Sequence, residues 1–249
     1  MAVESSSPAN GPVERPFSVS ADVYDIIYGD LPYTEHAERI TALVRDHMSE
    51  AATLLEVGCG TGLYLDLFRH EFAVEGLDIS PDMLEVARHR MPDIPLHLGD
   101  MRTFELRSRF DVIACLFSSI GYMETRSDLL AAVANFVKHL APGGVLVIDA
   151  WFTPGAWISG HIGTSVAERD GLVVARISHG VVEGAVSVMD MHHLVGRPGV
   201  GVKHYVERHR MGLFTHEEFM GVFAELGFDA YRLDDLVSMG RNRYFAFAT

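Results

Sequence analysis

From Thr53 onward the hydrophobic positions fall into short apolar runs separated by amphipathic stretches. Thr53–Val57, Phe72–Leu77, Pro95–Leu98, Phe110–Leu116 and Gly144–Ile148 have the length and texture of strands. Val112-Ile113-Ala114-Cys115-Leu116 and Val145-Leu146-Val147-Ile148 contain no polar residue. That is the pattern of strands buried on both faces, and so of a parallel sheet between helices. The intervening segments have helical spacing: about Gly62 to Arg69, a helix opened by Ser80-Pro81 and running through Arg90, and Asp128–Leu140. Upstream, Ala21–Gly29 and Thr34–Met48 read as helices, the second with apolar residues at Ala37, Ile40, Leu43 and Val44.

After Trp151 the texture changes. Ser165–Ser178, Val181–Leu194 and Val202–Phe214 predict three strands joined by polar turns such as Glu183-Gly184, an antiparallel insertion. A helix at Thr215–Leu226 and strands at Ala230–Leu236 and Arg243–Ala248 complete the pattern. The fold class expected is α/β: a Rossmann-like, doubly wound seven-stranded sheet with an antiparallel β insertion. In domain terms, residues 1–16 are expected to be a flexible tail, residues 17–150 and 214–249 the α/β domain, and residues 151–213 the insertion. The insertion is expected to serve substrate binding or formation of a homodimer.

Composition narrows the partners. A chain of 249 residues with 48% hydrophobic content suits one domain with a large core. No apolar run approaches the roughly 20 residues that span a bilayer, and Met1 to Pro16 lacks an apolar signal core. No membrane partner is expected. Cys59 and Cys115, the only cysteines, sit in apolar sequence and read as free thiols of a cytoplasmic protein. The 34 acidic and 20 basic residues give a net charge of −14, a field that repels nucleic acid. A small phosphorylated ligand is still allowed, because two or three local arginines suffice to hold it.

The chemistry gathers at the ends of the first three strands. Glu56-Val57-Gly58-Cys59-Gly60-Thr61-Gly62 stands between a strand and a helix, where glycines permit a tight turn and a helix start favours an anionic ligand group. Asp78 ends the second strand, where a carboxylate can accept from two ribose hydroxyls. Gly99-Asp100-Met101 follows the third, where Asp100 can accept from an adenine and Met101 pack on it. Leu63 stands where a dinucleotide fingerprint needs its third glycine, and no Walker lysine follows the loop. His161, His192 and His193 lack ligand company, and no zinc pattern is present.

With these motifs the chain resembles the class I S-adenosylmethionine (SAM)-dependent methyltransferases. More narrowly, it is similar to the bacterial nucleotide-aminosugar N,N-dimethyltransferases of antibiotic biosynthesis. The resemblance runs from about Val19 to Thr249 and rests on Asp22-Val23-Tyr24-Asp25, the glycine loop, His97 to Arg102, Phe117-Ser118-Ser119-Ile120-Gly121-Tyr122, Leu140 to Gly144, Ser178-His179, Leu213-Phe214 and Gly240-Arg241. It implies SAM as cofactor, held by Tyr24, Tyr33, Glu56, Gly58, Gly60, Thr61, Asp78, Ile79, Met83, Asp100, Met101, Leu116 and Phe117. It also implies a small-molecule amine or nucleotide-sugar substrate, and within that class a dTDP-linked amino deoxysugar. Ser118, Ser119, Trp151, Phe152, Arg241 and Arg243 are the expected substrate contacts, with Trp151 and Phe152 to stack on a base or ring and Arg241 to pair with a phosphate. Tyr122 and His179 are the candidates for orienting or deprotonating the acceptor.

The chain departs from the family pattern in three places. Asp149-Ala150-Trp151-Phe152-Thr153-Pro154 replaces a Glu-Pro-Trp-Trp-Phe-Pro stretch, Gly240-Arg241-Asn242-Arg243-Tyr244-Phe245 replaces Gly-Arg-Gly-Leu-Phe, and Pro16-Phe17 stands where some members carry a tyrosine. The alternative readings are an O- or C-methyltransferase of another natural-product intermediate and a non-catalytic SAM-binding protein.

Overall fold

The computed structural model describes residues 13–233 and 242–248. The chain opens with a 3-10 turn at Ala21–Val23, then α1 (Tyr24–Tyr28) and α2 (Tyr33–His47). Strand and helix alternate next: β1 (Thr53–Val57), α3 (Leu63–Phe68), β2 (Ala73–Asp78), α4 (Pro81–Arg90), β3 (Leu96–Leu98) and β4 (Phe110–Cys115). A 3-10 turn at Ser119–Tyr122 leads to α5 (Arg126–His139) and β5 (Leu140–Asp149). Four strands follow, β6 (His161–Arg169), β7 (Leu172–Glu183), β8 (Val186–Arg197) and β9 (Gly201–Gly212). The chain returns through α6 (His216–Glu225), β10 (Phe228–Arg232) and β11 (Arg243–Ala248).

The main sheet has the order β10-β11-β5-β4-β1-β2-β3. β1 to β5 pair in parallel, while β11 lies antiparallel between β5 and β10. Alternation within each strand divides the core in two. Leu55, Val57, Ile113, Cys115, Leu146 and Ile148 pack in one cluster with residues of α5 and α6. Leu54, Val112, Ala114, Leu116, Val145 and Val147 pack in the other with residues of α2, α3 and α4. The helix start read at Ser80-Pro81 is in place, whereas α5 opens at Arg126, capped by Thr125, two residues before the expected Asp128. The Ser80 side chain accepts from the Met83 N–H with Pro81 behind it, and Thr215 forms a full capping box with Glu218. Because the chain turns back on itself beside β1, the ends of β1 and β4 flank the switch point where ligands enter doubly wound sheets.

The insertion is a separate antiparallel sheet of four strands, β6-β7-β8-β9, rather than three. The Ser165–Ser178 expectation ran through a hairpin turn at Asp170-Gly171, whose φ values of 52° and 76° end one strand and start the next. Val181–Leu194 likewise crossed the turn after Glu183. The strand expected at Ala230–Leu236 is Phe228–Arg232, and residues beyond 233 in that range lie outside the described residues.

Candidate active site

The glycine loop is built around three positive φ angles, 75° at Gly58, 54° at Gly60 and 81° at Gly62. A Cβ at Gly58 would stand 2.5 Å from the Ser119 Cβ, and one at Gly62 would strike the Met91 methyl group. Gly58 is required by packing, and Gly62 by its left-handed backbone, since the Met91 side chain can move aside. A Cβ at Gly60 meets nothing within 4 Å, so that position faces open space a ligand can occupy. The Asp78 carboxylate accepts from the Gly60 and Ser80 N–H groups, both at 2.8 Å, and so pins the loop to the end of β2. Burial pushes its carboxyl up against those backbone donors. Glu56 is 2% exposed and its Oε2 has no hydrogen-bond partner among the described residues. Burial, and then the nearby Asp78 charge, raise its carboxyl well above the ordinary range. The Thr61 hydroxyl donates to Asp25 Oδ1 at 2.5 Å, and Arg90 donates to the other oxygen, tying α1 down beside the loop.

Two cavities meet at this loop. One, of about 380 Å³, runs from Glu56, Gly58, Gly60 and Thr61 past Tyr24, Tyr28, Tyr33, Leu116 and Phe117. It ends on Trp151, Phe152, Arg176, Ser178, Met189, Met191 and His209. The other, of about 360 Å³, is lined by Asp78, Ile79, Asp100, Met101 and Arg102, with residues Arg15 to Ser18 across it. Phe17, Gly58, Ser119 and Tyr122 border both. The inner face of the antiparallel sheet thus roofs the open end of the parallel one.

Most of the residues singled out from sequence come together here; several do not. Met83 is buried in the core, where its backbone N–H caps α4, and Ser118 is turned inward to donate to the Ala150 carbonyl at 2.8 Å. Neither borders the two cavities. His179 stands on the other face of β7 from Arg176 and Ser178, in register with Ile162 and Asp190, and points away from the site. Arg243 is 2% exposed and forms a buried ion pair with Asp149 across β11 and β5, with Nη2 2.7 Å from Oδ2. The same oxygen of Asp149 accepts from the Phe117 N–H at 3.1 Å, so the pair braces the left-handed turn at Phe117-Ser118 instead of meeting a substrate in either cavity. Arg241 lies outside the described residues. Asp100 borders the second cavity, with its carboxyl held below the usual range by hydrogen bonds from Arg102. Trp151 donates from its indole N–H to Ser187 at 2.9 Å and presents its ring to the first cavity.

Two residues that sequence reasoning missed border the first cavity. The guanidinium of Arg176 lies over the Tyr28 ring, 5.0 Å from its centroid, and donates to the Tyr28 hydroxyl. His209 Nδ1 stands 2.7 Å from the Tyr122 hydroxyl. The available signal was the alternation Glu207-x-His209-x-Met211, which puts three side chains on one face of a strand.

Comparison with known proteins decides what this site belongs to. A family model described as a methyltransferase domain matches residues 54–144. A Streptomyces venezuelae protein, dTDP-3-amino-3,4,6-trideoxy-alpha-D-glucopyranose N,N-dimethyltransferase, is 44% identical over 210 residues, 83% of this chain and 89% of that one. The chain belongs to the SAM-dependent methyltransferases. A second relative, the dTDP-4-amino-2,3,4,6-tetradeoxy-D-glucose N,N-dimethyltransferase of Saccharopolyspora spinosa, is 40% identical over 84% of this chain and 85% of its own. The solved SAM-bound amino pentose methyltransferase of Micromonospora echinaspora, involved in calicheamicin biosynthesis, superposes with a TM-score of 0.81 at 37% identity, covering 91% of this chain and 97% of that one. The methyltransferase uses SAM as its methyl donor. The open space at Gly60 and the unpartnered oxygen of Glu56 fit a ligand carrying an ammonium group at that end of the cavity. No helix among the described residues is long and apolar enough to cross a membrane.

Proposed function

We infer that this methyltransferase transfers methyl groups to the amino group of a dTDP-linked amino deoxysugar. The observation that carries the reading is the shape of the first cavity. It continues from the glycine loop to an aromatic and cationic wall of Trp151, Phe152 and Arg176, which gives a ring-bearing, anionic acceptor a place beside the donor. The relatives at 40% identity and above act, by their names, on 3-amino and 4-amino dTDP-deoxysugars, and that supports the acceptor class.

When bound, SAM supplies an electrophilic methyl group on a sulfonium. Glu56 would accept from its ammonium, Gly58 and Thr61 would border its methionine end, and Tyr24, Tyr33, Leu116 and Phe117 would cover it. Asp78 retains lone pairs for ribose hydroxyls, and Ile79, Asp100 and Met101 would enclose adenine. The acceptor side has to align a neutral amine, because an ammonium has no lone pair. With a lysine-like pKa of about 10.4, an amine at pH 7 is neutral only about one part in a few thousand, a cost of roughly 4–5 kcal/mol. The tyrosine and tryptophan walls disfavour the charged form and lower that cost, and a fixed orientation supplies much of the remaining acceleration. Ser119 and Tyr122, on the border of both cavities, stand where acceptor and donor would meet.

Incubation with SAM and a panel of dTDP-amino deoxysugars, read by mass spectrometry, should yield mono- and dimethylated amines. Reaction of a hydroxylated or aglycone acceptor, with no reaction of any aminosugar, would overturn the assignment. The homodimer expected from the insertion has a surface in the outer face of the antiparallel sheet, where Ile162, Val166, Ile177, Leu194 and Val202 are exposed on one side. That face carries His179, His192, His204, Glu168 and the Asp190–Arg208 and Glu183–Arg210 pairs, so most of its charge is paired and a second copy meets little there of the repulsion of a −14 chain. Sedimentation velocity should show a dimer that Ile177→Glu dissociates. The two free buried thiols, Cys59 and Cys115, favour a reducing, cytoplasmic setting.

A further inference from the structure

The geometry points to a proton relay, Tyr122–His209–Glu207, that takes the ammonium proton from the acceptor before methyl transfer. This rests on the amine-acceptor reading above. Tyr122 comes from the turn after β4, whereas His209 and Glu207 come from β9 of the insertion, so the relay exists only where the two sheets meet.

Its geometry is directional. The Tyr122 hydroxyl borders both cavities and lies 2.7 Å from His209 Nδ1. The other ring nitrogen, Nε2, faces Glu207 Oε2 at 3.6 Å. Glu207 is fully buried and fixed: its Oε1 accepts from the Val19 and Ser20 N–H groups at 3.0 and 3.1 Å, and its Oε2 from the Ser20 hydroxyl at 2.8 Å. Burial alone would push the Glu207 carboxyl up, but the facing His209 ring and the hydrogen bonds from Val19 and Ser20 outweigh it and hold the group at about 2, so it is an anion. A carboxylate facing Nε2 favours the tautomer with the proton there, which leaves Nδ1 bare to accept from the phenol. Phe17 packs edge-on against Tyr122 and His209, with centroids 5.8 and 5.1 Å apart, and shields the pair from water.

The step balances without a further reactant. The N–H bond of the acceptor ammonium breaks and its proton joins the Tyr122 oxygen, while the proton that Tyr122 carried passes to His209 Nδ1. The substrate is left neutral with its lone pair free. The positive charge now sits on the His209 imidazolium beside the fixed Glu207 anion. His209 releases the proton to water when the site opens for product release. Burial keeps the Tyr122 phenol well above its usual range, so it hands a proton on and does not rest as phenolate. The titratable groups that face His209 are Tyr122 across the cavity wall and Glu207 on its own strand, and His193 on β8 lies 3.9 Å from the same Glu207 oxygen. His193 is held by burial at about 4, against the opposing pull of Glu207, and stays neutral. Glu207 is here a positioning residue that acts through His209.

Two measurements test this. In the first, kcat for an amine acceptor is followed from pH 6 to 10 in wild type, Tyr122→Phe, His209→Gln and Glu207→Gln. The relay requires a loss of about 100-fold for His209→Gln and Tyr122→Phe near neutral pH, recovering as pH rises towards the range in which a free lysine-like amine is neutral, about 10.4. Glu207→Gln should lose less, and SAM affinity by calorimetry should be unchanged in all three. Parallel pH profiles in wild type and His209→Gln would overturn the relay. The second needs no acceptor. Nitrogen NMR of ¹⁵N-histidine-labelled protein saturated with S-adenosylhomocysteine should find the His209 proton on Nε2 and a bare Nδ1 whose shift moves in Tyr122→Phe. A proton on Nδ1 would refute it, even if the acceptor proved not to be an aminosugar. Tyr122→Phe preserves ring packing, so the idea stays testable if a histidine variant fails to fold.

Discussion

Gly60 and Arg243 show how differently single residues in one motif set behave. Gly60 has room for a Cβ, yet the space beside it is where SAM must approach. Gly60→Asp should abolish SAM binding by calorimetry, while its positive φ of 54° costs about 1–2 kcal/mol of stability; retained affinity in the folded variant would remove the loop from the cofactor site. Arg243 is expected from sequence among the substrate contacts. Strand alternation instead drives it inward onto Asp149. Arg243→Ala would strand a buried carboxylate, and urea unfolding should report a loss of about 3–5 kcal/mol. A surface arginine would cost almost nothing, so the magnitude separates the two readings.

At the scale of elements, the parallel strands and the start of α4 were legible because their signals are local: Ser80-Pro81 names its own helix start. The insertion was less legible. Its strands are 9 to 12 residues long with turns short enough to be read through, and Asp170-Gly171 was overlooked inside one apparent strand. Both turn residues need positive φ, which a type I′ hairpin demands. A Cβ at Gly171 would meet only Pro198, at 3.5 Å, so Gly171→Ala tests the backbone alone. The expected loss is about 1–2 kcal/mol of stability, measured by chemical denaturation, with methyl transfer retained.

For the molecule as a whole, the junction between the two sheets sets the response to acid. His193 and Glu207 both titrate lower in the folded chain, at about 4 and about 2, than their ordinary values of 6.5 and 4.5. The unfolded chain therefore takes up protons first, and stability falls as pH falls. His193's contribution is lost between pH 6.5 and 4, and that of Glu207 between 4.5 and 2. The urea midpoint should drop across the first window in wild type, and His193→Phe should flatten that drop. Because Glu207 also holds the N–H groups of Val19 and Ser20, hydrogen exchange at those two residues should accelerate through the lower window, ahead of exchange in β1 and β4.

The sequence by itself determined the parallel sheet, the glycine loop, Asp78 and the methyl donor, since each is written in contiguous residues whose spacing fixes their geometry. The tertiary structure decided which insertion side chains face the site. In a strand one step along the chain is a change of face, so His179 turned outward while its neighbours Arg176 and Ser178 turned in. It also brought His209 and Glu207 against Tyr122 from more than eighty residues away. No local pattern records that meeting, because it arises from the packing of one sheet over the end of another.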